Sequence, residues 1–394
     1  MDVDVIVVGA GPAGSTAARE IAERGASVLL LDRARFPRDK PCGGGVTVRC
    51  TGLLPFSIEP VVEDVVSAAR LRVRDGRDVT RDAGGPLTYM TQRRRLDAFL
   101  VERAQERGVE FRDGQAVTEV APRPDGAFEV ATRDGRHRAR VVIGADGANG
   151  IVANRLGYDA IPGGAVAFEG NIPFAEGVPA EFRNRVVLNF GYLPGGYAWV
   201  FPKGDHVNVG VGGWREVAGT RLRPALRHIC RLYGLDPARL EGLRGHLLPM
   251  QQPGMTVAAR GSAVVGDAAG LVDPLSGEGI HAALSSGIAV APATRAYLDG
   301  AAPTLAGYQA AMAREWQPDT EASAALLEIF QARPEPFIWL MQHSGRFWDG
   351  ACRLIRGDAT YEGLTYTLGP PMHALLGPAA TAGRLINRRR HPGR

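Results

Sequence analysis

Three groups of residues in this chain are spaced for chemistry. Gly9, Gly11 and Gly14 stand in G-x-G-x-x-G order, and Asp32 follows 18 residues after the last of them. Glycines at these positions permit a tight turn, a close backbone approach to a pyrophosphate and close helix–strand packing. The carboxylate falls where it can take a ribose hydroxyl. Cys42 follows Lys40 and precedes Gly43, Gly44 and Gly45. A neighbouring cation lowers a thiol pKa, and glycines let backbone lie flat near a planar ring. A lone cysteine is otherwise a small buried hydrophobe. Tyr197, Trp199 and Phe201 alternate, so on a strand they share one face. That face suits either a pocket for a long apolar chain or ordinary sheet core. Lys203 closes this stretch after Pro202, and His281 is either a proton donor or a helix-surface histidine.

The first group needs a strand, a turn and a helix to position it. Residues 3–8 are a short β-branched run fit for a buried parallel strand. A helical pattern covers residues 13–24, and a second apolar run at 27–31 ends in Asp32. Strand, glycine turn, helix and second strand together make a dinucleotide site, where helix amides and dipole favour the anion. Residues 141–148 and 262–269 read as two more buried strands ending in glycine-acid turns. Arg93 opens an amphipathic helix (Leu96, Phe99, Leu100, Ala104) stopped by Gly108, and 109–143 read as short strands. Residues 155–258 are β-rich with one helix near 222–233, and the chain is helical with breaks from about 302.

Length and composition bound the rest. The 394 residues suffice for two to three domains. Hydrophobic residues make up 45% and charged residues 22%, an ordinary globular composition. No apolar run approaches the roughly 20 residues of a spanning helix. The acidic start at Asp2 and Asp4 does not resemble a signal peptide. The expected location is the cytoplasm, either free or at a membrane surface. Four scattered cysteines without C-x-x-C predict neither a disulfide framework nor a metal site. Net charge is +4, and only two of the 46 basic residues, Lys40 and Lys203, are lysines. The basic tail at 384–394 reads as a solvated end, with attraction to anionic lipid as the alternative. No nucleic-acid motif accompanies the charge.

Three separated fragments carry a family resemblance. They are Gly9 to Gly14 with Asp32, then Ile143-Gly-Ala-Asp-Gly-Ala148, then Gly266-Asp267 through Pro274, Gly277 and Gly279 to Ile280. This set resembles the FAD-dependent oxidoreductases of the p-hydroxybenzoate hydroxylase fold. Lys40-Pro-Cys-Gly-Gly-Gly45 and Gly196-Tyr-Ala-Trp-Val-Phe-Pro-Lys203 are similar to signatures of the geranylgeranyl reductases. The resemblance implies a mixed α/β fold: a Rossmann-like FAD-binding domain (1–56, 92–154, 259–300), an inserted antiparallel β-sheet substrate domain (57–91, 155–258) and a C-terminal helical region (301–394).

It also implies site roles. The FAD contacts would be Gly9, Gly11, Ala13, Gly14, Asp32, Arg33, Cys42, Gly43, Gly45, Arg93, Val117, Asp146, Gly266, Asp267, Pro274, Gly277, Gly279 and Ile280. Arg93 would reach the pyrophosphate side, with Arg94 and Arg95 as rivals. Val117 would offer its backbone to adenine and Asp267 its carboxylate to the ribityl chain. A helix starting near Ile280 would stabilise negative charge on reduced flavin. Cys42, Tyr197 and Trp199 are the candidate catalytic residues, with no metal.

The expected activity is saturation of isolated C=C bonds in a prenyl chain on a lipid, diphosphate, chlorophyll-type or quinone substrate. The alternative is a flavin monooxygenase hydroxylating or epoxidising an apolar substrate. NAD(P)H or another donor would bind transiently, since no second dinucleotide turn is present. Tyr197 and water are the candidate proton sources. The C-terminal region would close the lipid pocket, touch a membrane or simply pack as core.

Overall fold

The computed structural model describes residues 2–159, 164–367 and 370–391. The expected substrate region and C-terminal region therefore each include a few residues outside the described ones, as does the basic tail. The chain forms two compact units, each assembled from three segments.

The first unit comprises Met1–Lys40, Arg93–Pro162 and Pro249–Thr320. Its core is a parallel sheet in the order Ser262–Val264, Gly135–Gly144, Asp2–Val8, Val28–Leu31, Glu110–Arg112. The central strands are buried on both faces, which is why they read as unbroken apolar runs. An antiparallel pair, Val117–Pro122 and Phe128–Thr132, extends from the long strand. Helix Pro12–Ala22 follows the first strand and packs on helix Ile280–Leu298. Gly287 makes that crossing close: a Cβ there would stand 2.7 Å from the Ala13 carbonyl oxygen.

The second unit comprises Pro41–Gln92, Gly163–Leu248 and Glu321–Arg394. Its seven-stranded sheet runs Glu241–Leu248, Ala165–Pro173, His206–Trp214, Tyr197–Lys203, Arg185–Phe190, Ala68–Val73, Val79–Asp82. All pairs are antiparallel except Arg185–Phe190 with Ala68–Val73. One face carries Ala198, Val200, Val209 and Val211 against helix Leu222–Leu232. The other face carries the aromatic set. There Leu71, Val186 and Met90 pack with Ile338 and Trp348 of helices Pro334–His343 and Gly345–Arg356. A small three-stranded sheet (Gly45–Thr47, Thr88–Thr91, Val62–Val66) completes the unit.

These units differ from the sequence boundaries in several places: residues 155–159 and 249–258, expected in the substrate domain, fall in the first unit. Residues 41–56, expected with the cofactor region, belong to the second unit because Gly45–Thr47 pairs with Thr88–Thr91. The helical region is not separate: residues up to Thr320 join the first unit, and those from Glu321 supply core to the second.

Candidate functional site

In the first unit the glycine turn is set by steric necessity. Gly9 has φ +102°, and a Cβ there would lie 2.3 Å from the Ala145 carbonyl oxygen. A Cβ on Gly14 would lie 1.8 Å from the Gly9 oxygen. Helix Pro12–Ala22 begins with Gly11 as its N-cap, without a side-chain cap and without an acid in its first turn. Its first amides are therefore open to an anion. Asp32, buried, accepts from Ala10 N and Ala34 N, both at 2.8 Å. Each carboxylate oxygen keeps a further lone pair for a hydroxyl.

Two guanidinium groups stand over Gly11: Arg93 and Arg38, 3.8 and 3.7 Å from where its Cβ would be. Both are held by fully buried Asp97. Arg93 Nε and Nη2 donate to its two oxygens at 2.7 and 2.8 Å, and Arg38 Nη1 lies 2.8 Å away. Arg94 and Arg95 are exposed, so Arg93 is the arginine at the turn. Arg38 and Asp97 escape the motif reading. The signal present was the i,i+4 spacing of Arg93 and Asp97 on one helix face.

Asp267 follows Gly266, whose φ is +59°. Its carboxylate is 3.2 Å from Lys40 Nζ and 3.3 Å from where a Gly279 Cβ would be. Gly279 is the uncapped N-cap of helix Ile280–Leu298. The loop before it is wound by Asp273, which accepts from Ser276 N and Oγ at 2.6 Å. Pro274 is buried and Gly277 takes φ +71°. Asp146 uses one oxygen locally and leaves the other, Oδ1, buried without a hydrogen-bond partner among the described residues. It accepts from Ile151 N and Val152 N at 2.6 and 3.0 Å, and burial pushes its carboxyl above the ordinary range. Arg33 is exposed, and Val117 opens a strand whose pairing is irregular at its partner Thr132. His281 is half-buried.

In the second unit the Cys42 loop is pinned from both sides. Cys42 N donates to Glu169 Oε1 at 2.6 Å, and Gly44 N lies 3.3 Å from the thiol sulfur. Lys203, only 3% exposed, sends its ammonium to the carbonyls of Gly43 and Thr91. A Cβ on Gly44 would strike both Lys203 Nζ and the Thr91 oxygen. So one of the two lysines has a local task that its retention in a lysine-poor chain hinted at.

The alternating aromatics share a face as expected. Tyr197 and Phe201 are half-buried and Trp199 is buried, with ring centroids 6.0 and 6.1 Å apart. Trp199 Nε1 donates to Asn208 at 2.7 Å, and Asn208 donates on to Asn171 at 2.9 Å. The indole lies on Gly210 of the neighbouring strand, where a Cβ would be 2.0 Å from Cζ2. The register puts Glu169 opposite Gly210 and Gly210 opposite Trp199, so the carboxylate that holds Cys42 lies on this same face. Gly43 abuts the Phe201 ring.

Residues 2–189 match the FAD binding domain family. The chain is 34% identical to the geranylgeranyl diphosphate reductase of Rhodobacter capsulatus over 77% of its own length and 78% of the relative's. It is also 34% identical to the menaquinone reductase of Mycobacterium tuberculosis, over 72% and 74%. A geranylgeranyl bacteriochlorophyll reductase-like crystal structure from Thermoplasma acidophilum superposes with a TM-score of 0.74 at 21% identity, covering 99% of this chain and 98% of that one. With an uncapped helix start, the buried Asp32 carboxylate and two arginines at the turn, the first unit fits FAD, and the chain belongs to the geranylgeranyl reductase family of FAD-dependent oxidoreductases.

Proposed function

We propose that this enzyme saturates isolated C=C bonds of a prenyl chain. The observation that carries this reading is the row Tyr197, Trp199 and Phe201, half-buried at its two ends, beside the pinned Cys42 loop. An apolar chain laid on such a row loses water along its length, which supplies binding without polar contacts. Bound FAD, once reduced, supplies the hydride.

The chain's own residues do the rest. Gly11, the open amides of helix Pro12–Ala22, Arg38 and Arg93 hold the pyrophosphate, and Asp32 holds a ribose. Asp267 takes the ribityl chain, with Lys40 orienting it. The start of helix Ile280–Leu298 favours negative charge near Gly279. Trp199 is locked by Asn208 and so offers a fixed wall to the chain. Glu169 and Lys203 fix the Cys42 backbone, which keeps the thiol and Gly43 in place. Tyr197 Oη delivers the proton to the second alkene carbon, the hydroxyl that this aromatic row provides. A reduced nicotinamide, or another donor bound transiently, restores the electrons.

A lipid substrate is collected at a membrane surface on the cytoplasmic side. Trp339, 57% exposed, and Leu385 are apolar groups available for that contact. Among the described residues no helix is long and apolar enough to cross a membrane.

Chemically reduced protein, mixed without oxygen with geranylgeranyl diphosphate or a prenylated quinone, is expected to reoxidise and yield product heavier by two hydrogens. Tyr197→Phe is expected to slow that reoxidation by roughly 100-fold, the range of one lost general acid, with flavin absorbance unchanged. Reoxidation that waits for oxygen and adds an oxygen atom would replace the reductase reading with a monooxygenase. Full activity in the phenylalanine variant would remove Tyr197 as the acid.

A further inference from the structure

The second unit contains a feature that the reaction itself does not use. A cleft of about 730 Å³ lies beside the loop that precedes the aromatic strand. It is lined by Arg74, Arg221, Arg333, Arg390 and His391, with Glu335 the one carboxylate among its walls. Four arginines against one carboxylate among the lining residues give the cleft a positive balance. Its walls are fastened to one another. Arg74 donates to the Gly191 carbonyl at 3.1 Å and pairs with Glu335 at 3.3 Å. Arg390 donates to the Ala332 carbonyl at 2.8 Å. Arg74 is one of two described non-glycine residues with positive φ, at 49°, and Asn189 donates to its carbonyl at 3.0 Å. A left-handed arginine costs energy that an unconstrained loop would release.

An independent observation gives the cleft a direction. The wall segment Gln331–Glu335 is flanked in sequence by Phe330 and Phe337, whose rings are 5.8 Å apart. From Phe330 the contacts run to Phe190 at 5.4 Å and on to Tyr197 at 5.8 Å. Trp199 and Phe201 continue the series, each step being comparable to one isoprene unit. All these residues lie within the second unit. One continuous aromatic row therefore leads from the edge of the arginine cleft to the face beside Gly43.

We propose that the cleft is an anchoring site for a phosphate or diphosphate headgroup, with the prenyl tail laid along the aromatic row. This deepens the prenyl-reductase reading and rests on it for the tail, while the anion site stands on the cleft alone. Guanidinium groups match phosphate oxygens in pairs, and several converging on one site favour a multiply charged anion. Anchoring one end also fixes which double bond along the tail meets the reactive position, so the cleft sets regiochemistry.

The test uses the full-length holoenzyme and Arg221→Ala/Arg333→Ala, two exposed arginines whose removal leaves the fold's core untouched. Calorimetric titration with inorganic pyrophosphate is expected to show binding that weakens with salt, and roughly tenfold or greater weakening in the double variant. Steady-state assays then compare geranylgeranyl diphosphate with geranylgeraniol, which lacks the anion. The variant is expected to raise KM for the diphosphate about tenfold and to leave the alcohol within about twofold, with flavin content unchanged. Titration with vesicles containing a diphytanyl-type phospholipid, against inorganic pyrophosphate, separates a lipid headgroup from a free diphosphate as the source. Failure of pyrophosphate to bind the wild-type protein overturns the anion site, whatever the enzyme reduces. Equal KM changes for both substrates overturn headgroup anchoring. Pyrophosphate binding by a protein that reduces no prenyl chain would preserve the site and overturn the reductase reading instead.

Discussion

At the scale of single residues, glycine does the most selective work in this protein. Gly210 leaves room for the Trp199 indole, and Gly43 leaves room for Phe201. The Gly210-x-Gly212-Gly213 run looks from sequence like a failed nucleotide motif, yet its first member is explained by an aromatic ring on the neighbouring strand. Gly210→Ala would place a methyl 2.0 Å from Trp199 Cζ2. The indole must then move, at a cost of about 1–3 kcal/mol for such overpacking. The variant is expected to bind FAD normally, to change near-ultraviolet dichroism of tryptophan and to lose most activity. Normal dichroism with normal turnover would show that the indole position is not under this constraint. The residues of the cofactor turn were legible because their reasons are local and steric. Arg38, Asp97 and Glu169 were not, because each acts through a partner distant in sequence or through register. Glu169 faces Cys42 from 127 positions away.

At the scale of elements, the first βαβ unit was legible almost to its ends. The strand predicted at 3–8 is Asp2–Val8 and the helix predicted at 13–24 is Pro12–Ala22. The last turn of that helix was lost because Glu23 caps it and Gly25 takes φ +82°. Asp4 adds a tie between the first two strands. Its carboxylate accepts from Ser27 N at 2.9 Å and Ser27 Oγ at 2.8 Å. The Ser27 amide is the main cause holding its pKa below the usual 3.8, against the opposing effect of partial burial. A carboxyl depressed on folding stabilises the native state above its unfolded pKa, and that contribution disappears as pH falls through the folded value. Asp4→Asn is therefore expected to lower the melting temperature at pH 7 and to match wild type once the pH is well below 3.8. Melting curves from pH 2 to pH 8 on this two-strand tie check it, a constant gap across that range being the contrary result.

At the scale of the molecule, the chain is cut and shared between two units, and the sequence boundaries, interleaved in the same manner, place several of the cuts elsewhere. Residues 41–56 look like the continuation of the cofactor loop, but strand pairing takes them to the second unit. The helices after residue 320 look like an appendage, but Ile338, Trp348 and Cys352 share one core with Val66, Leu71 and Met90. Trp348 Nε1 also donates to the Asp82 carbonyl at 2.8 Å. Truncation after Thr320 opens that core and exposes a wide apolar surface. The truncated protein is expected to be insoluble or aggregated on expression, as measured by soluble yield and gel filtration. A soluble monomer would mean that the remaining strands close without these helices.

The buried ammonium of Lys203 has one more consequence. With only two lysines in the chain, side-chain acylation has two addresses: Lys40, with 27% of its side chain exposed, and Lys203, with 3% of the residue exposed. An amine-directed reagent therefore marks Lys40 promptly and reaches Lys203 only when the second unit opens. The rate at which the second label accumulates is a built-in clock for breathing of the strand that ends at Lys203, readable by peptide mass without altering a single residue.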